Sequence, residues 1–92
     1  MKRCKRHGIL CWKFESPSTN HVPDRLLIAR GVPITMAELK RPGGKPRPAQ
    51  AALIETLRAL GVEVRVIDTI EDAEGYADEL HYRSVAASFE EF

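Results

Sequence analysis

The distribution of proline constrains this chain more than any other feature of its sequence. All six prolines lie between residues 17 and 48, and none follows Pro48. Proline interrupts helices and cannot donate a backbone hydrogen bond to a sheet, so residues 17–48 are predicted to form short extended segments joined by turns. The rest of the chain remains free to form longer helices. A chain of 92 residues divided in this way is predicted to be one domain of mixed α/β class.

Hydrophobic periodicity assigns the individual elements. Residues rich in strand formers predict strands at 9–14, 25–29, 34–39 and 62–67, and helical spacing predicts helices at 49–60 and about 70–81. The second and third strands are separated by a tight turn, which indicates an antiparallel hairpin. The helix at 49–60 then connects the hairpin to the last strand as a crossover, giving an α+β mixed sheet of two or three layers. Residues 82–92 form either a continuation of the last helix or a frayed tail.

Charge is distributed as unevenly as proline. The net charge of +1 hides a first half, residues 1–50, with a net charge of +8 and a second half, residues 51–92, with −7. Residues 1–8 are predicted to be a basic N-terminal arm. No apolar run approaches the ~20 residues of a membrane-spanning helix, and the basic start leads into Gly8 and Trp12 rather than a signal-peptide apolar stretch. We therefore expect a cytoplasmic protein.

Two carboxylates and one lysine are predicted to meet at one end of the hairpin. Asp24 opens one strand, and Glu38 and Lys40 lie two residues apart at the end of the neighbouring strand. Side chains alternate along a strand, so Glu38 and Lys40 share a face about 6–7 Å apart, and strand pairing brings Asp24 to that face. Carboxylate oxygens bind Mg²⁺ or Mn²⁺, which neutralises a phosphate and lowers the pKa of a bound water. This grouping predicts metal-assisted cleavage of phosphodiester bonds.

Residues around these three are predicted to support the same chemistry. The backbone carbonyl of Leu39 is a further candidate metal ligand. Gln50, in the first turn of the next helix, is predicted to hold Lys40 or the attacking water. The loop after the hairpin is basic and suits contacts with backbone phosphates beside the scissile bond. The candidate DNA-binding residues are Arg25, Arg41, Lys45 and Arg47.

Other interpretations of the same residues stay open. An aspartate after Pro23 is often a turn residue, and Glu38 and Lys40 on an exposed strand form a solvated ion pair that contributes little. A second constellation, Cys4, His7 and Cys11 with His21 as fourth ligand, suggests zinc. Its spacing lacks the paired Cys-x2-Cys of structural zinc sites, so two free thiols in a mobile arm are the favoured interpretation.

Four short segments together resemble one nuclease family. From about residue 13 to residue 68 the chain is similar to the VRR-NUC (virus-type replication-repair nuclease) domain, a branch of the PD-(D/E)XK nuclease superfamily. The order of the segments and the hairpin between them make the set more specific than any one alone. The segments are Val22-Pro23-Asp24-Arg25, Ala37-Glu38-Leu39-Lys40, Pro42-Gly43-Gly44-Lys45 and Pro48-Ala49-Gln50.

The resemblance implies a fold, an activity and a role for each matched residue. It implies a restriction-endonuclease-like core in which Asp24 and Glu38 are metal ligands, with Lys40 as the catalytic lysine and Gln50 as the supporting polar residue. It further implies Mg²⁺- or Mn²⁺-dependent endonuclease activity on branched DNA of the Holliday-junction or flap type. Small phage and bacterial members of the family act as homodimers, which implies the same here.

Two features depart from the family pattern. Relatives usually begin with a helix whose glutamate faces the metal, whereas no acidic residue precedes Glu15 here. Either the start is truncated, or Glu15 partly substitutes, or the site holds metal less firmly. His21 stands before Val22 where the family favours glycine, and it either touches metal or phosphate or has no function. The alternative function is therefore a non-catalytic DNA-binding or assembly subunit with the same fold.

The uneven charge predicts which surface of the protein faces DNA. The basic, proline-rich half contains the candidate site and is predicted to face DNA. The acidic helices of the second half are predicted to face solvent or a partner. A net charge near zero therefore says little against nucleic-acid binding, because the two halves need not share one surface.

Overall fold

The computed structural model describes residues 2–90. In chain order the elements of this part are α1 (Lys2–Arg6), β1 (Leu10–Lys13), β2 (Arg25–Ile28), β3 (Thr35–Leu39), α2 (Pro48–Ala59), β4 (Val64–Ile67) and α3 (Ile70–Glu90). No helix in this part of the chain is long and apolar enough to cross a membrane.

The four strands form one mixed sheet in the order β1-β2-β3-β4. β2 pairs antiparallel with both β1 and β3, and β4 pairs parallel with β3. The chain reaches β4 through α2, because a parallel neighbour requires a crossover connection. The predicted hairpin, crossover helix, parallel strand and C-terminal helix are all confirmed, and the fold is the predicted α/β restriction-endonuclease-like core.

Each face of the sheet has its own hydrophobic cluster, which we call the α3 face and the α2 face after the helix that covers it. On the α3 face, Leu27, Ala37 and Ile67 of the strands form one cluster with Tyr76, Ala77 and Leu80 of α3. On the α2 face, Met36 and Val64 pack with Ile54 of α2. Neighbouring residues such as Met36 and Ala37 belong to different clusters, because successive side chains of a strand point to opposite faces. The fold therefore has three layers.

Local signals explain where the two long helices begin and end. Pro48 occupies the first turn of α2, where its missing N–H has no partner to lose, and Gly61 with a φ of 94° follows its end. At the start of α3 the side chain of Thr69 accepts a hydrogen bond of 3.0 Å from the backbone N–H of Asp72. Helix α3 continues to Glu90, so residues 82–90 continue the helix rather than forming the tail that was the other expectation.

The expectation of a mobile basic arm at residues 1–8 is wrong for the described part of that segment. Residues 2–6 form the short helix α1, and Cys4 is fully buried in the cluster on the α3 face. Arg3 donates hydrogen bonds to Glu74 and Asp78 of α3. The basic start of the chain is therefore held by the acidic helix from the other half of the sequence, a pairing that local sequence patterns do not reveal.

His7 completes this contact between α1 and α3. Its Nε2 lies 2.7 Å from Oδ1 of Asp78, and its ring stacks on that of His81 with 4.1 Å between the centroids. Hydrogen bonds from His7 and Arg3 hold the pKa of the Asp78 carboxyl below its ordinary value. Both thiols of the chain are free, and Cys11 packs half-buried against the same cluster as Cys4.

Candidate active site

Asp24 and Glu38 face each other across β2 and β3. The register pairs Arg25 with Ala37, which sets Asp24 opposite Glu38 one position further along. The backbone N–H of Asp24 donates to Oε1 of Glu38 at 3.2 Å, and the backbone N–H of Leu39 donates to Oδ1 of Asp24 at 3.2 Å. Each carboxylate is thus held by the backbone of the opposing segment. The two acidic side chains that alternation predicted to converge are fixed side by side.

Lys40 joins the same group from the end of β3. Its Nζ lies 3.2 Å from Oε2 of Glu38, and the side chains of Glu38 and Lys40 are only 8% and 25% exposed. The partial burial separates this pair from a solvated surface ion pair, because an exposed lysine would sample many rotamers in water. One carboxylate oxygen of Glu38 therefore accepts a hydrogen bond from a backbone N–H, and the other contacts the ammonium group of Lys40. The sequence-based prediction that Glu38 and Lys40 share a face is confirmed.

The two carboxylates carry oxygen atoms of the kind that bind divalent cations. One oxygen of each carboxylate accepts a backbone N–H, while Oδ2 of Asp24 lies 3.5 Å from Nη1 of Arg25 and Oε2 of Glu38 faces Lys40. Residues 2–90 contain no cluster of three or more His, Cys, Asp or Glu side chains able to hold a metal. Mg²⁺ is commonly held by one or two carboxylates together with waters and substrate phosphate, so a pair suffices.

The other predicted site residues differ in how closely they join this centre. Gln50 is buried in the first turn of α2, and no hydrogen bond within residues 2–90 links its side chain to Lys40 or the carboxylates. The backbone N–H of Leu39 donates a hydrogen bond to Asp24. That the backbone carbonyl of Leu39 is a metal ligand stays a prediction. The guanidinium of Arg25 also donates to the backbone oxygen of Asp24 at 2.9 Å.

The loop between β3 and α2 carries the remaining basic candidates. Arg41, Lys45 and Arg47 are exposed there and form no ion pair with the described part of the chain. The carboxylate of Asp68 accepts a hydrogen bond of 3.2 Å from the backbone N–H of Gly43 and so ties the loop to the end of β4. Sequence reasoning missed Asp68. Its position directly after a buried parallel strand could have identified it, because functional groups often lie at the carboxyl ends of such strands.

His21 has an unusual backbone just before Asp24. Its φ is 70°, in the left-handed region that disfavours side chains with a Cβ. This geometry explains why glycine suits the position that leads into Val22-Pro23-Asp24. The side chain is exposed, and residues 2–90 show no hydrogen bond from it.

The zinc constellation is not assembled. Cys4 is buried, and the imidazole of His7 is engaged by Asp78 and His81. Burial, followed by the nearby thiol of Cys11, raises the pKa of Cys4 to about 11, which disfavours the thiolate that a zinc ion requires. Within residues 2–90 the candidate site is therefore the acid–lysine group alone.

Comparison with known proteins adds a relative. No protein-family model matches the chain. Over 65 residues the chain is 40% identical to a protein of Acyrthosiphon pisum secondary endosymbiont phage 1 that is named "Putative nuclease p44", and the match spans 71% of this chain and 70% of the phage protein. Identity at this level over most of both chains shows common ancestry and a shared fold. The chain therefore belongs to the nuclease family of that phage protein.

Proposed function

We propose that this protein is a Mg²⁺- or Mn²⁺-dependent endonuclease of the VRR-NUC type that hydrolyses phosphodiester bonds in DNA. The observation that carries the proposal is the reciprocal hydrogen bonding of Asp24 and Glu38, with the ammonium group of Lys40 3.2 Å from Glu38. Two adjacent carboxylates held in a fixed geometry repel each other, and a cation or a phosphate-bound metal relieves that repulsion.

Each residue of the site has its own proposed role. Asp24, Glu38 and the carbonyl of Leu39 are the proposed ligands of the metal, which when bound neutralises the phosphate and activates a water. Lys40 orients the attacking water and stabilises the negative charge that develops on the phosphate oxygens. Gln50 supports Lys40 or the water from the start of α2. The side-chain amide of Gln50, which is buried, has the donor and acceptor needed for that role.

Phosphate contacts position the DNA strand. The proposed contacts come from Arg25 next to Asp24 and from Arg41, Lys45 and Arg47 in the loop. Such contacts read the backbone and carry no base sequence, which suits recognition of DNA by shape. We propose branched DNA, such as a junction or flap, as the preferred substrate.

We also propose that two copies act together as a homodimer. The second half of α3 exposes Tyr82, Val85 and Phe89 at spacings of three and four residues, which places them along one stripe of the helix. A small domain gains stability by burying such a stripe against a second copy. Sedimentation at micromolar concentration is expected to give a dimer, and a species of 10.3 kDa would contradict this part of the proposal.

The nuclease proposal is tested by cleavage of nicked, flapped, four-way and linear DNA with Mg²⁺, with Mn²⁺ and with EDTA. We expect cleavage only with metal, and preferentially on branched substrates. Lys40→Ala should slow cleavage by about 10²-fold or more, by analogy with loss of one charge-stabilising group, while circular dichroism stays unchanged. Lys5→Ala is the matched control, because Lys5 is exposed on α1, which packs against α3 on the other side of the sheet.

The alternative is a non-catalytic DNA-binding or assembly subunit. The observation that favours it is the small number of ligands, since only two carboxylates meet and no further His, Cys, Asp or Glu of residues 2–90 joins them. Wild-type protein that binds branched DNA yet leaves it intact across a range of metals would establish this alternative and defeat the nuclease proposal.

A further inference from the structure

Trp12 is the sole tryptophan of the chain, and the fold does not use it. Its side chain on β1 is 55% exposed, and it belongs to neither hydrophobic cluster of residues 2–90. A tryptophan is the largest apolar side chain, and most of its surface is normally buried. An exposed one on a regular strand therefore indicates a surface that contacts something.

Trp12 lies on the same face of the sheet as the candidate active site. The register places Trp12 opposite Leu26 and Leu26 opposite Met36, which packs on α2. Asp24 is two residues before Leu26 on β2 and so shares its face. Trp12 is thus one strand, about 4.8 Å, and two residues, about 7 Å, away from Asp24 in the plane of the sheet.

Helix α2 covers only part of this face. Its side chains pack on β3 and β4, and the surface of β1 and the far end of β3 stays open, with Leu10 48% and Ile34 55% exposed. The open surface begins one row from the acid–lysine group. A DNA strand that is bound at that group and runs towards β1 passes over this surface.

The size of the open surface favours a nucleotide over a second copy of the chain. Three half-exposed apolar side chains present roughly 300 Å² in total, if each large side chain offers about 200 Å² when fully exposed. A stable protein interface needs about 800 Å² per partner. One unpaired base needs only a single aromatic ring for stacking, and Trp12 provides it.

We propose that Trp12 stacks on an unpaired base next to the scissile phosphate and thereby selects DNA that has single-stranded nucleotides at its branch. The inference depends on the proposed function only for the position of the DNA at Asp24, Glu38 and Lys40. Stacking on an aromatic side chain is available to any base, so the selection is for unpaired structure rather than sequence.

The emission of Trp12 reports on this contact directly, because no other tryptophan contributes. Wild-type protein in EDTA is titrated with single-stranded oligothymidylate, with flapped DNA and with blunt duplex of the same length. We expect saturable quenching by the first two and little by blunt duplex. Absence of quenching by both oligothymidylate and flapped DNA, or equal quenching by all three, would overturn the inference.

Variants separate stacking from simple apolar contact. Trp12→Ala and Trp12→Leu should each bind labelled flapped DNA about tenfold more weakly, and Trp12→Phe should retain most of the affinity. Their affinity for blunt duplex should stay within about twofold of wild type. Binding of flapped DNA by Trp12→Leu at wild-type strength contradicts stacking, and a blue shift of emission with protein concentration in the absence of DNA shows instead that a second copy covers Trp12.

The two proposals fail in different ways. Quenching without cleavage under any metal would leave the stacking role intact and remove the nuclease function. Metal-dependent cleavage of flapped DNA without quenching would leave the nuclease function intact and remove the role of Trp12.

Discussion

Tyr76→Phe tests the polar network that fastens α3 to the sheet behind the candidate site. Tyr76 is 2% exposed, and its hydroxyl donates to the carboxylate of Glu63 just before β4. Nη1 of Arg83 donates to both oxygens of the same carboxylate at 2.8 and 3.0 Å. The guanidinium of Arg65 lies over the tyrosine ring, 4.3 Å from its centroid. The substitution removes one hydroxyl and keeps the buried ring.

The size of the effect follows from these contacts. A hydrogen bond to a charged group contributes about 1.5–3 kcal/mol to the free energy of unfolding. The lower end applies here, because Arg83 still pairs with Glu63 in the variant and no carboxylate is left alone. We therefore expect a loss of about 1.5 kcal/mol. In a domain of this length that corresponds to a decrease in Tm of about 6–12 °C.

The same contacts make the difference in free energy of unfolding between wild type and Tyr76→Phe depend on pH. Burial opposes ionisation of Glu63, but hydrogen bonds from Arg83 and Tyr76 outweigh it and keep its pKa below the ordinary 4.5. The carboxylate's contribution to stability is thus present above pH 4.5 and is lost as the pH falls through the folded-state pKa. Burial, followed by the hydrogen bond to Glu63, raises the pKa of Tyr76 to about 12 from 10. Between pH 10 and 12 the tyrosine therefore ionises in unfolded wild type but stays protonated in the folded state. This difference favours unfolding and lowers the stability of the folded wild type above pH 10.

The assay is urea denaturation followed by far-UV circular dichroism at pH 3, 7 and 11. We expect the difference between wild type and Tyr76→Phe to be largest at pH 7 and smaller at both extremes. Tyr82→Phe is the matched control, because Tyr82 lies on the same helix, is 73% exposed in the single chain, and phenylalanine keeps the apolar ring of the proposed dimer stripe. A difference below about 0.5 kcal/mol at pH 7, or an equal difference at pH 3, would refute the assignment of a charge-assisted hydrogen bond.

Three further predictions concern single residues. His21→Gly should raise the free energy of unfolding by about 0.5–1 kcal/mol in urea denaturation, because its φ of 70° strains any side chain with a Cβ; a loss of stability would contradict the assigned strain. Leu80→Ala should cost about 2–5 kcal/mol in the same assay, since Leu80 is 1% exposed; a cost below 1 kcal/mol would contradict its place in the core. Cys4, with its pKa raised to about 11, should react with iodoacetamide at pH 8 far more slowly than Cys11 in folded protein, as peptide mass mapping will show, and equal rates would contradict its burial.

The middle of the chain was predictable because its local signals agree. Proline, strand formers and helical spacing place the hairpin, α2 and β4 close to their observed bounds. Both ends depend on tertiary contacts instead. Helix α1 has five residues and is too short to be stable alone, so its contacts with α3 are needed to fix it. The end of α3 passes Gly31 so closely that a Cβ there would lie 2.9 Å from Ala87.

The candidate site was predictable in its acidic pair and less so in its surroundings. Strand alternation alone is enough to bring Glu38 and Lys40 to one face, and the predicted hairpin adds Asp24. The reciprocal backbone hydrogen bonds depend on the register of β2 and β3, which the turn and the burial of both sheet faces set and strand alternation alone does not. The tie from Asp68 to Gly43 joins residues 25 positions apart and has no local signal beyond a strand end.

Ion pairs within the fold neutralise part of the uneven charge of the sequence. Arg3 from the basic half pairs with Glu74 and Asp78 of the acidic half, and Arg25 lies 3.5 Å from Asp24. These guanidinium groups give up part of their attraction for phosphate to neighbouring carboxylates. The prediction that the whole basic half faces DNA is therefore too broad. The exposed arginines and lysine of the loop between β3 and α2 have no such partner in residues 2–90, so electrostatic attraction to DNA is expected to be strongest beside the acid–lysine group.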